Sequence, residues 1–264
     1  LRLSRGLGDV YKRQIDSSKL IDHVALSRAA VSVVERLCDN DYSAFIVGGA
    51  VRDLLLGKRP KDFDVATNAT PEQVVALFRG SHIIGRRFQI VHVRMGREII
   101  EVTTFRGHHD YGAPQTAVKS QKGLLLRDNV YGTLDQDAAR RDLTINALYL
   151  DPVNKLILDD LDGIEDIRQR LVRIIGDPAT RYSEDPVRML RVVRFAAKLG
   201  FTIEETSQAA IRQCRHLLAD IPAARLFDET LKLFMAGFAA PTLEHLAKHE
   251  LLESLFPKAY RGDE

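Results

Sequence analysis

One stretch, FIVGGAVRDLLLGKRPKDFDVAT (residues 45–67), constrains this chain more than any other. Residues 43–47 read as a strand, 50–56 as a short helix and 62–66 as a second strand. Glycines between a strand and a helix permit close backbone approach, and the free N–H groups at a helix start attract phosphate. Residues i and i+2 of a strand face the same way, so Asp62 and Asp64 are expected side by side, with Phe63 on the packed face. Two carboxylates that close repel unless a cation lies between them. Oxygen-only ligands suit Mg²⁺, which keeps waters and binds substrate phosphates. Taken singly, Gly-Gly also makes a tight turn and D-x-D also decorates an edge strand. The order of strand, glycines, helix and acids is what favours a metal and phosphate role over those readings.

With 264 residues the chain makes one large or two modest domains. No run of about 20 apolar residues occurs, so no membrane span is expected. The formal charge of +2 is too small to argue for nucleic acid alone. Cys38 and Cys214 lie far apart without metal-like spacing, which predicts free thiols and a reducing, cytoplasmic compartment. LRLSRGLGDVYKRQ has no periodicity and no apolar signal core, so residues 1–14 are read as a non-native tail. The end at RGDE, soon after a helical pattern, reads as a truncation.

Helix periodicity occupies 26–38, with Val31, Val34 and Leu37 on one face. TPEQVVALF predicts a helix capped by Thr70, with Pro71 at its first position and Gln73 closing a capping box. Residues 88–95 and 97–104 predict a hairpin turning at Gly96, and 107–123 a mobile loop. A helix is expected at 134–140, then short strands near 147–150 and 155–158. Beyond about residue 164 the pattern is helical: 185–200, capped by Asp185 and ended by Gly200, then 204–217, 223–236 and 240–255. The pattern reads as an α/β domain over about 24–158 joined to a helical domain over about 159–264; with the resemblance given next, the expected fold class is α+β, a mixed-sheet domain over 15–158 followed by an all-helical domain over 159–264.

GGAVRDLLLGKRPKDFDVAT, RRDLTINAL and EDPVRMLRVVRFAAKLGF, in that order, resemble the class II nucleotidyltransferases, the family of bacterial poly(A) polymerases and tRNA CCA-adding enzymes. The resemblance covers roughly residues 24–256. GRRFQIVHV, FRGHH and IPAARLFDETLKL resemble the poly(A) polymerase branch; the CCA-adding branch usually has Gly-Thr where this chain has Gln89-Ile90. The resemblance implies a polymerase β-like nucleotidyltransferase head with a helical neck, using ATP as substrate and two Mg²⁺ ions. It implies that Gly48 and Gly49 hold the triphosphate, that Asp62 and Asp64 ligate the metals, and that Arg52 and Asp53 brace the glycine loop. Asp142 matches the third catalytic acid, with Arg140 and Arg141 near nucleotide and Leu143 where the family commonly has Phe. Glu101 is a rival third carboxylate: it alternates with Ile100 and Val102 and so faces away from them.

Asp185 and Arg188 are neighbours on one helix face. Spacing alone gives a helix cap and an ion pair; the resemblance implies template-free nucleotide selection. Arg188, Arg191, Arg194 and Lys198 fall on one side of that helix, a stripe for RNA phosphates or a solvated face. Lys58, Arg59, Lys61, Arg86 and Arg87 are further basic spots, and Arg106 ends a strand within expected reach of a triphosphate. His92, His108 and His109 lack zinc spacing and are read as core or surface residues. Tyr131 and Tyr182 are candidates for base stacking or for packing.

The expected activity is template-independent addition of AMP from ATP to an RNA 3′ end. The 3′-hydroxyl attacks the α-phosphate and pyrophosphate leaves. CCA addition to tRNA is the rival within the family. A non-catalytic RNA-binding adaptor and nucleotidyl transfer to a small molecule are the rivals outside it.

Overall fold

The structure, a computed structural model, describes residues 13–85, 89–107 and 130–256. The expected loop beyond Gly107, together with Arg86, Arg87, Phe88, His108 and His109, lies outside them. The chain divides into two compact units. The first runs to Arg141 and resumes over Asn146–Ile164; the second takes Asp142–Ile145 and everything from Glu165 onward. The expected break after residue 158 therefore moves to 164, and four residues of RRDLTINAL change unit. Hydrogen bonding explains the exchange: Thr144 N–H donates to the Arg173 carbonyl (3.2 Å) and Ile175 N–H to the Asp142 carbonyl (3.0 Å).

The first unit is built on eight strands: β1 (Gln14–Asp16), β2 (Ala44–Val47), β3 (Asp64–Thr67), β4 (His82–Ile84), β5 (Ile90–Met95), β6 (Glu98–Thr104), β7 (Tyr149–Asp151) and β8 (Leu156–Leu158). They form one mixed sheet in the order β1-β8-β7-β2-β3-β6-β5-β4. The β3–β6 pair is parallel and the other six pairs are antiparallel. Two strands were not legible in the sequence. β4 is three residues long, and β1 takes Gln14 from the supposed tail to pair with Leu158. The strand expected at 62–66 begins at Asp64, so Asp62 precedes it.

Helix α1 (Arg28–Cys38) buries Ala30, Val33, Val34 and Leu37, the i, i+3, i+4, i+7 stripe of an amphipathic helix, and packs on β2, β3 and β6. Short α2 (Gly49–Leu55) follows β2. Helix α3 (Pro71–Leu77) forms the expected capping box between Thr70 and Gln73. On the opposite sheet face, Phe45, Val47, Ala66, Phe105 and Tyr149 form a core with Leu134 and Ala138 of α4 (Leu134–Arg140). Helix α5 (Gly163–Arg168) carries the chain across the unit boundary.

The second unit holds α6 (Pro178–Glu184), α7 (Val187–Leu199), α8 (Glu205–Cys214), α9 (Ala223–Phe234), α10 (Ala239–Lys248) and α11 (Leu252–Leu255). It is not purely helical. Strands β9 (Leu171–Val172) and β10 (Thr202–Ile203) pair in parallel. Helix α7 starts one residue after the expected first position, Pro186; Asp185 ends α6 and also accepts from the Val187 N–H through its side chain at 3.3 Å. Gly200 stops α7 as expected, in the left-handed region at φ 69°. Seven apolar residues of α7 are buried, Met189, Leu190, Val192, Val193 and Ala196 completely, making it the core helix of this unit. Cys38 and Cys214 are free thiols. Among the described residues no helix is long and apolar enough to cross a membrane.

Candidate nucleotidyl-transfer site

β2 and β3 run antiparallel with Val47 opposite Asp64. The chain leaves Val47 directly into Gly48, so the glycine turn and the acid share one end of the central strand pair. Gly48 adopts φ 71°, ψ −128°, a conformation that side chains strain to reach. A Cβ there would also stand 3.3 Å from Arg141 Nη1. At Gly49 a Cβ would meet Arg52 Nη2 at 3.4 Å. Helix α2 has only seven residues and a short dipole; the charge beneath the turn comes from these two guanidinium groups.

Both arginines are fixed from behind. Arg52 is 3% exposed; its Nη1 donates to Asn146 Oδ1 (2.6 Å), and its Nε and Nη2 donate to Asp53 Oδ1. Arg141 donates to Asp137 Oδ2 (3.1 Å), to Tyr149 Oη (2.9 Å) and to the Asn146 carbonyl (3.2 Å). The Tyr149 hydroxyl in turn donates to Asp137 Oδ2 at 2.6 Å. Burial pushes the Tyr149 phenol far up, so it stays protonated and serves as that donor. Asp137, Asn146 and Tyr149 were not singled out in the sequence. Asp137 carried a signal, standing four residues before Arg141 on a helix, and Asn146 lies within RRDLTINAL.

Asp64 lies opposite Glu101 on β6. Its carboxyl is pushed up to about 6, by burial first, then by Glu101 and Asp62, while Arg141 pulls the other way. Three carboxylates thus share one field, in the first unit alone. Their chemistry fits a hard cation: oxygen donors, like charges unneutralised, and a guanidinium-backed phosphate turn beside them. Among the described residues no three His, Cys, Asp or Glu side chains close into a metal cage. Mg²⁺ ordinarily takes only one or two carboxylates and leaves the remaining positions to water and phosphate. Glu101 faces away from buried Ile100 and Val102, as its alternation implied.

Asp142 belongs to the second unit, where Arg191 Nε donates to its Oδ2 at 2.6 Å and Leu143 N–H to its Oδ1. Arg191, expected on an RNA stripe, is thus engaged by an acid. Arg188 donates to Glu184 Oε2 (2.8 Å) and to the Arg181 carbonyl (2.9 Å). Asp185, its expected partner, accepts from Arg225 Nη2 at 2.7 Å. Arg194 stacks over the Phe195 ring at 4.9 Å. Glu184 and Arg225 are site neighbours that spacing did not isolate. Arg106 lies beyond the end of β6; its backbone N–H donates to Asp137 Oδ1 (3.2 Å), and it forms an isolated antiparallel bridge with Tyr131. Tyr182 is fully buried and its hydroxyl donates to the Ser207 carbonyl, which is packing rather than base stacking.

Two families match this chain: "Poly A polymerase head domain" over residues 44–173 and "Probable RNA and SrmB- binding site of polymerase A" over 200–261. Poly(A) polymerase I of Haemophilus influenzae is 54% identical over 233 residues, covering 88% of this chain and 52% of the relative. Poly(A) polymerase I of Escherichia coli O6:H1 is 51% identical, covering 89% and 51%. The CCA-adding enzyme of Geobacillus stearothermophilus is 38% identical, covering 83% and 52%. A crystal structure of the Bacillus stearothermophilus CCA-adding enzyme in complex with CTP superposes with a TM-score of 0.71 at 37% identity, covering 85% of this chain and 52% of that one. The chain spans about half the length of the curated relatives it matches.

Proposed function

Because this chain belongs to the nucleotidyltransferase family of poly(A) polymerases and CCA-adding enzymes, we propose that it adds AMP from ATP to RNA 3′ ends without a template. The observation that carries the reading is the placement of Asp64 between Val47, which opens the Gly48-Gly49 turn, and Glu101. The turn receives the triphosphate, with Arg52 and Arg141 supplying positive charge through the backbone they buttress. Asp62 and Asp64 would hold two Mg²⁺ ions, which when bound polarise the attacking hydroxyl and neutralise the leaving pyrophosphate. Glu101 is the third acid of this reading by its place beside Asp64. Asp142 acts as the fixed partner of Arg191 in the second unit. Asp185 and Arg188 would select the base, oriented by Arg225 and Glu184, and Arg191 and Arg194 would contact RNA phosphates. Adenylate tailing is favoured over CCA addition by the higher identity to the poly(A) polymerases, 54% against 38%. The proposed location is the cytoplasm, a reading supported by the thiols of Cys38 and Cys214 and by RNA as the proposed substrate.

Nucleotide binding tests the reading directly. Mg²⁺ with ATP is expected to raise the melting temperature and Mg²⁺ with UTP or GTP is not. The ATP effect is expected to disappear in Asp62→Asn and Asp64→Asn. An ATP effect that survives in both variants, or needs no divalent ion, would refute the assigned pocket. No nucleotide response in the wild-type chain would leave the adaptor as the better reading.

A further inference from the structure

One rung of the first unit's sheet is polar from its centre to its edge. Asp64 on β3 lies opposite Glu101 on β6, Glu101 opposite His92 on β5, and His92 opposite His82 on β4. Directly paired residues project from the same sheet face, so the four side chains stand in one row. The pattern is easily missed in sequence, where His92 reads as an isolated polar residue between Val91 and Val93. Those two valines are buried on the other face. His92 Nε2 lies 3.4 Å from Glu101 Oε1. The His82 ring meets the His92 ring edge-on, centroids 5.6 Å apart at 71°.

Glu101 has a specific need for such a neighbour. Its side chain is 49% exposed, has three rotatable bonds and faces a like charge on Asp64. Unrestrained, it would relieve the repulsion by swinging into solvent. His92 is only 23% exposed, shorter and stiffer, and presents a ring nitrogen to the carboxylate from the side opposite Asp64. At 3.4 Å the contact is longer than a hydrogen bond, and the buried Nε2 has no hydrogen-bond partner in the structure, so a proton carried there has the Glu101 carboxylate as its adjacent acceptor after a small side-chain rotation.

We infer that His92 is a positioning residue that holds the Glu101 carboxylate beside Asp64, with His82 setting the plane of the His92 ring. The inference rests on the nucleotidyl-transfer reading and adds to it a side chain outside the acid set. Contacts of this kind, to carboxylates that face a metal, are typically worth about 10–100-fold in metal affinity.

The test uses the whole chain with His92→Phe, which keeps the ring against His82 but removes the donor, and His92→Gln, which restores a donor. In metal-free, ¹⁵N-histidine-labelled protein, the His92 Nε2 resonance is expected to shift when Glu101→Gln is introduced. His92→Phe is expected to raise the Mg²⁺ concentration for half-maximal thermal stabilisation about tenfold, without lowering the metal-free melting temperature. His92→Gln is expected to return that concentration near the wild-type value. An Nε2 resonance indifferent to Glu101→Gln, or a Phe variant with wild-type Mg²⁺ demand, would overturn the positioning role alone. Equal losses in the Phe and Gln variants with a falling metal-free melting temperature would reduce His92 to packing. A wild-type chain without any Mg²⁺ response would refute the transfer reading, and the positioning role with it.

Discussion

Asp64→Asn is expected to reduce AMP addition by about 10³–10⁴-fold while making the metal-free protein more stable. The two effects have one cause. The fold places Asp64 beside Glu101 and near Asp62, and partly removes it from water, which raises its carboxyl from 3.8 to about 6. An acid with a raised folded pKa binds its proton more tightly in the fold than in the unfolded chain. The penalty is absent below pH 3.8, grows as pH rises toward 6 and is complete above it. Because the side chain reaches solvent, screening reduces the penalty to about 1 kcal/mol. That corresponds to a melting temperature about 2–4 °C higher for the amide variant at pH 7. At pH 4 the two proteins are expected to melt together. A variant that loses activity and stability in parallel would mean that Asp64 serves the fold rather than the reaction.

Arg141→Met is expected to destabilise the first unit by about 3 kcal/mol. The guanidinium answers Asp137, Tyr149 and the Asn146 carbonyl together. Removing it leaves the Asp137 carboxylate, itself 12% exposed at the side chain, without its counter-charge. Asp137→Asn in the same chain is expected to recover part of the loss, since neutralising the orphaned acid removes the main cost. Urea unfolding of the four-member cycle measures this. Additive losses, with no recovery in the double variant, would show that Arg141 and Asp137 do not act as a pair.

Much of this was legible in the sequence where the determinant is local. The Thr70–Gln73 capping box, helix α1 and the stop at Gly200 each depend on residues within one or two turns and are found as expected, although the buried stripe of α1 is Ala30, Val33, Val34 and Leu37, with Val31 half-buried. The face of Glu101 followed from alternation alone. Pairings that close long loops were not legible. Asp142 and Arg191 are 49 residues apart and Asp185 and Arg225 are 40 apart, so periodicity carries no information about them. Spacing paired Asp185 with Arg188, yet Glu184 is the acid one full turn from Arg188 and takes it. The unit boundary was hidden for the same reason, since backbone bonds from Asp142 and Thr144 to residues 173–175 assign four residues of one motif to the other unit. The edge strands β1 and β4 escaped because three-residue strands leave almost no period to read.

The most direct test is extension of a labelled RNA ending in adenosines, with Mg²⁺ and each nucleoside triphosphate supplied singly, beside a tRNA lacking its terminal CCA. The account predicts adenylate tails from ATP alone on the generic RNA, absent in Asp64→Asn. Extension confined to the tRNA, and dependent on CTP before ATP, would contradict it and make the chain a CCA-adding enzyme.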